Sequence, residues 1–311
     1  MIAIPVRLLV KASREANGQQ AVLPAFLGHQ TTKSMKKPVI LVLLGAALIA
    51  ARADAQLFSF TTGAPDGRLA TGSRPANASF IEIESADDFI LSSPTQLTSA
   101  TFTGLIPAGV SLSSVGEVQV EIYRVFPLDS TNPPSGMVPT RVNSPSDNAF
   151  DFRNSLSGGG LIFTSSILNP TFTAANSILN GINKSPNQTT GGEGPVTGQE
   201  VQFTVTFTSP LNLPADHYFF VPQVGLSSGN FLWLSTAEPP LFTGDLQAWI
   251  RNANLDPDWL REGTDIVGGN PAPKFNEAFS LNGTVPDSGS TALLLGSAAV
   301  VVFYLRRRVA A

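Results

Sequence analysis

Residues 201–207, Val-Gln-Phe-Thr-Val-Thr-Phe, place an apolar side chain at every second position and a polar one between. Successive side chains of an extended chain point to opposite faces, so this alternation suits a strand with one buried face and does not suit a helix of 3.6-residue period. Residues 118–126 repeat it, with Val118, Val120 and Ile122 on one face and Gln119 and Glu121 on the other, wet one. Shorter segments of the same character occur at 80–83, 88–91, 98–102, 161–164, 217–221, 231–234, 246–250 and 275–281. The stretches between them are rich in Gly, Pro, Ser, Thr and Asn, and the proline-rich 128–145 and glycine-rich 183–198 read as exposed loops. About ten strands with no amphipathic helix predict an all-β fold, a two-layer antiparallel β-sandwich of jelly-roll or Ig-like type. No fixed-period repeat points to a propeller or a β-helix. Between its two terminal segments the chain reads as one domain, residues 56–284.

Those terminal segments differ sharply from the middle. Met35-Lys36-Lys37 is followed by an apolar stretch over 39–50 and by Ala53-Asp54-Ala55 before Gln56. A basic start, an apolar region and small residues two apart are the pattern of a secretory signal peptide, so 35–55 is expected to be a signal helix cut by signal peptidase after Ala55. Residues 1–34 then read as a non-native upstream extension, with Met35 as the working start. At the other end, 285–311, Val285-Pro286-Asp287-Ser288-Gly289 leads into an apolar run that ends at Arg306-Arg307-Arg308. The run over 291–305 is fifteen residues, short against the roughly 17–25 that a bilayer core usually requires. It is expected to form a short C-terminal transmembrane helix, with the three arginines held on the cytoplasmic side.

This order of motif, apolar helix and basic end resembles the PEP-CTERM class of sorting domains in its VPDSG variant. The resemblance implies recognition by a membrane-embedded exosortase, an inner-membrane intermediate, and delivery to the cell surface or extracellular matrix in association with exopolysaccharide. Two further stretches, 85–91 with 101–104, and 275–284, resemble ectodomains carried by such proteins and imply no chemistry.

Composition narrows the rest. Between residues 56 and 288 there are nine Lys and Arg against twenty-one Asp and Glu, a balance of −12. A phosphate-binding surface needs clustered positive charge, so nucleic acid is not an expected partner. The chain has no cysteine, which removes disulfides, thiol nucleophiles and cysteine metal sites. No cofactor is expected, and no enzymatic activity.

Four local features invite a site. Gly225-Leu226-Ser227-Ser228-Gly229 has G-x-S-x-G spacing, but the residues after it read as a strand where a nucleophile elbow needs a helix. A serine hydrolase would have to pair Ser227 with His217, the one histidine after residue 55. Oxygen ligation of calcium would use Asp87 and Asp88, or Asp256 and Asp258. Trp249, between Gln247 and Arg251, is expected on the polar face of its strand, and Trp259 near a turn; either indole would suit sugar stacking, which makes a carbohydrate-binding module the alternative to a structural or adhesive domain. Trp233, in an apolar run, reads as core.

Overall fold

The computed structural model describes residues 55–182, 189–237 and 247–286, together with Gly296 and Arg306. Most of the expected signal peptide and transmembrane run, and Asp287, Ser288, Gly289, Arg307 and Arg308, lie outside the described residues. Gly296 and Arg306 are helical and exposed. Among the described residues no helix is long and apolar enough to cross a membrane.

Fifteen strands follow one another in these residues. The first five are β1 Gln56–Thr61, β2 Pro65–Gly72, β3 Ile83–Leu91, β4 Thr95–Pro107 and β5 Val115–Val125. Next come β6 Pro145–Asn154, β7 Leu161–Ala174, β8 Asn176–Ile178, β9 Val196–Leu213 and β10 Asp216–Leu226. The last are β11 Leu232–Thr236, β12 Trp249–Asn252, β13 Leu260–Arg261, β14 Asn276–Glu277 and β15 Phe279–Val285. Among the described residues before Val285, helical structure is confined to one turn at Leu112–Ser114 and a π-helical turn at Glu262–Val267. The fold is all-β, as the alternation predicts.

The strands form two sheets. The first has nine strands along the path β1-β15-β4-β11-β2-β8, with β9 between β4 and β7 and with β14 beside β11. The second runs β13-β12-β3-β10-β5-β6. Strand pairing is antiparallel except between β2 and β8. Strand β4 carries β9 along one edge and, on the other, first β15 and then β11. Residues of both sheets meet in one apolar cluster: Phe102, Phe203, Trp233 and Phe279 from the first, Phe89, Val120, Tyr218 and Phe220 from the second. The Phe102 and Phe203 rings stack at 5.1 Å, and those of Phe220 and Phe279, one from each sheet, at 5.1 Å. Gly104 is required here, because a Cβ at that position would lie 2.1 Å from the Phe231 ring.

The period-two reading holds for β9, where Val201, Phe203, Val205 and Phe207 are buried and Thr204 and Thr206 exposed. It fails for the second face of β5. Glu121 and Tyr123 are buried as well as Val118, Val120 and Ile122, because an apolar group made of Ala86, Tyr123, Phe219, Val221, Trp249 and Trp259 covers the outer side of this sheet. The loop after β5 contributes to that cover. It is largely exposed over 127–140, but Arg141 is buried and ion-paired to Asp147 and Asp258, and Trp259 Nε1 donates to the Ser146 carbonyl at 3.4 Å. Residues 80–82 do not join a strand, while β1, β2, β6, β8 and β13 are not legible as strands in the sequence.

Candidate functional site

The two ends of the domain meet. Strand β1 pairs antiparallel with β15 over its full length, from Thr61 opposite Ser280 to Gln56 opposite Val285. Opposed Cα atoms in such a ladder lie about 4.5–5.5 Å apart. The first residue expected after signal-peptide removal is thus the neighbour of the first residue of the Val-Pro-Asp-Ser-Gly motif. Both strands are apolar on one face: Phe60 packs on Phe279 and Phe89, at 5.4 and 6.2 Å between ring centroids. That packing fixes the register, because a slip of one residue would turn Phe58 and Phe60 outward. The ladder ends at Val285, and Pro286 is exposed. Ala55, Gln56 and Leu57 are exposed on the other strand, so both junctions leave the domain at one end of one sheet edge.

The other sequence-derived residues fall elsewhere. Trp249 and Trp259 are both 0 % exposed, which corrects the expectation that Trp249 stands on a wet face. Its polar neighbours are buried with it. Arg251 is paired to Glu84 and Asp256 and receives the Trp259 ring at 4.3 Å, so these charges mark an internal ion-pair network rather than solvent. Trp233 is core as expected, its Nε1 donating to the Ala278 carbonyl at 3.0 Å. Ser227 and His217 lie ten residues apart at opposite ends of β10, roughly 33 Å at the rise of a strand. They form no nucleophile–base pair. The Gly225–Gly229 segment is the passage from β10 in the second sheet to β11 in the first, not a strand-to-helix elbow.

The acids proposed for calcium are already engaged by protein groups. Asp88 meets His217 Nε2 at 2.8 Å, Asp87 accepts the Glu277 backbone N–H at 2.8 Å, Asp256 meets Arg251 at 2.8 Å, and Asp258 holds Arg141. Among the described residues no group of three or more His, Asp or Glu is arranged to hold a metal ion.

Buried carboxyls of β3, the π-helical turn and β14 come together, and of these the sequence singled out Asp87 alone. Asp87, Glu262 and Glu277 are 0–1 % exposed, and Thr71 Oγ1 donates to Glu277 at 3.2 Å. Burial raises all three pKa values; Asp88 pushes Asp87 further up and Glu262 does the same to Glu277, while Glu262 itself is lifted to about 8. Around Arg251, burial and the neighbouring Glu84 lift Glu121 to about 8 as well. Such carboxyls persist by keeping their protons, which removes the cost of an unpaired buried charge. Their spread over 190 residues of sequence leaves no local signal.

Residues 284–309 match the family model described as the VPDSG-CTERM motif. The chain therefore carries a C-terminal sorting signal of the PEP-CTERM type, and the matched segment begins one residue before the end of β15. No curated protein matches the chain.

Proposed function

We propose that the chain is an exported protein whose two sheets form a sandwich-type, non-catalytic ectodomain with a structural or adhesive role at the cell surface or in the extracellular matrix. The match of residues 284–309 to the sorting-motif family carries this reading. The working steps are topological. Signal peptidase removes the leader after Ala55, the apolar run over 291–305 partitions into the inner membrane, and Arg306, Arg307 and Arg308 keep its end cytoplasmic. The segment from Val285 to Thr291 spans at most about 20 Å when extended, so the β1–β15 edge is held close to the bilayer while exosortase acts on the motif. Because β1 occupies the backbone of β15 up to Val285, the folded domain offers the enzyme Pro286 and the residues C-terminal to it. Exopolysaccharide is the proposed partner after release, and nucleic acid is not.

The test is substitution in the motif. Pro286→Ala combined with Gly289→Ala is expected to leave the protein in the membrane fraction with its tail uncut, while wild type moves to the surface or medium. Equal release of the variant and wild type would overturn the proposal.

A further inference from the structure

Five strands of the first sheet lie side by side as β1, β15, β4, β9 and β7. Their registers align Thr61, Ser280, Thr101, Thr204 and Thr164 in one rank across the sheet. The next rank is Ser59, Asn282, Ser99, Thr206 and Ile162. All ten side chains are exposed or half-buried, because their alternating neighbours, among them Phe60, Leu281, Phe102, Phe203 and Phe163, turn into the core. Beside the first rank a groove of about 340 Å³ opens, lined in part by Thr103, Gln202 and Glu200.

Polar side chains line the groove. Thr103 is 6 % exposed and lines the groove. Gln202 and Glu200 are half-buried beside it, and Glu200 has its pKa raised by burial. These residues line the groove, where a ligand's hydroxyls can hydrogen-bond with them. No Lys or Arg lines the groove, so an anion would face Glu200 with no compensating charge. Pro65 and Leu168 add apolar wall, Leu168 being half exposed. A pocket of this size with convergent polar groups on an apolar wall is what a small ligand or one unit of a polymer requires. Adjacent strands are about 4.8 Å apart, so five hydroxyls in rank extend over about 19 Å. That length suits a chain of hydroxylated units rather than a single one.

We infer that this outer face binds a neutral, hydroxyl-rich polysaccharide, with one unit seated in the groove at Thr103, Gln202 and Glu200 and the chain running along the rank from Thr61 to Thr164. The inference rests on the reading of the domain as a non-catalytic adhesive module, and its test does not depend on whether the tail is cut.

Affinity electrophoresis of the full-length protein in detergent, in gels containing dextran, soluble amylose or alginate, tests it. Retardation by a neutral glucan and not by alginate is expected. Thr103→Val with Gln202→Leu should weaken that retardation roughly tenfold, the effect of losing two hydrogen bonds of ordinary strength. Thr171→Val, on β7 but outside both ranks, should leave it unchanged. Should the double variant fold poorly, Thr61→Arg, which places a long side chain at the groove mouth, is expected to abolish retardation. Binding to alginate alone, no retardation by either glucan, or full binding by both groove variants would overturn the inference. So would a groove variant that only dissociates a dimer, which would assign the face to a second copy of the chain. An uncut tail in the producing cell would defeat the sorting proposal and leave this assay untouched.

Discussion

The outer face of the second sheet is closed by Trp249, Trp259, Tyr123 and the Arg251–Glu84 pair, whereas the outer face of the first presents rows of threonine and serine hydroxyls to solvent. Both faces contain polar residues in strand periodicity, yet their roles are opposite. On the second sheet the buried arginines each join carboxylates and lie against an aromatic ring. Arg251 sits between Glu84 and Asp256 and against Trp259; Arg141 joins Asp147 to Asp258 and lies over Phe126 at 4.5 Å. On the first sheet the polar groups of the two ranks are neutral and short, Thr101 and Ser280 bond to each other at 2.6 Å, and Glu200 is the charged residue beside them in the groove. A polar side chain in a strand therefore reports a wet face only where nothing of opposite charge is brought over it. The large aromatics serve as internal cover, and the small hydroxyls are the surface that remains to work.

The sharpest way to break this comparison is to remove the cover. Trp259→Ala deletes a fully buried indole that stands edge-on to Tyr123 at 5.4 Å and carries Arg251 on its face. A loss of about 3–5 kcal/mol is expected for a buried aromatic of this size, read as a lowered denaturation midpoint. Arg251→Ala should cost a similar ~3–5 kcal/mol, since it strands Glu84 without its counter-charge. A variant at either position within about 1 kcal/mol of wild type, the range of ordinary surface changes, would mean that the outer layer is not part of the folded core.

The pH dependence is the next largest effect. The Glu262 carboxyl is lifted from an ordinary 4.5 to about 8 by burial. With the folded value above the unfolded one, the folded state holds the extra proton between these limits. Its contribution is full below about pH 4.5 and is lost as pH rises through about 8. Denaturation midpoints taken from about pH 5 to 9 should fall for wild type and fall less for Glu262→Gln; parallel slopes for the two proteins would contradict this. Glu121, lifted to about 8 by burial and by Glu84, acts in the same direction.

The smallest expected effect is on the open face. Thr204→Val and Thr164→Val keep the β-branched shape and should change stability by no more than about 0.5 kcal/mol, as surface substitutions do. A loss of several kcal/mol at either residue would show that the hydroxyl rank is covered in the folded protein and is not a surface.

Local pattern makes part of this legible. The alternation in residues 201–207 assigns β9 its two faces correctly, and the tail can be read because its motif, apolar run and arginines are contiguous. The environment of Trp249 cannot be read in this way. Gln247 and Arg251 look like solvent-facing neighbours until Glu84, 167 residues earlier than Arg251, is brought beside them. The hydroxyl rank is hidden for the same reason. Thr61, Thr101, Thr164, Thr204 and Ser280 are scattered through the chain, and only the registers of four strand pairs align them. The pairing of Gln56 with Val285 is likewise a long-range fact, although each residue stands out in its own surroundings.

The central claim is that this domain is delivered and trimmed through its C-terminal signal, and the intact mass of the mature protein from its native host tests it most directly. The account predicts a chain that begins at Gln56 and lacks residues 290–311. A mature protein that still carries residues 290–311 would contradict it.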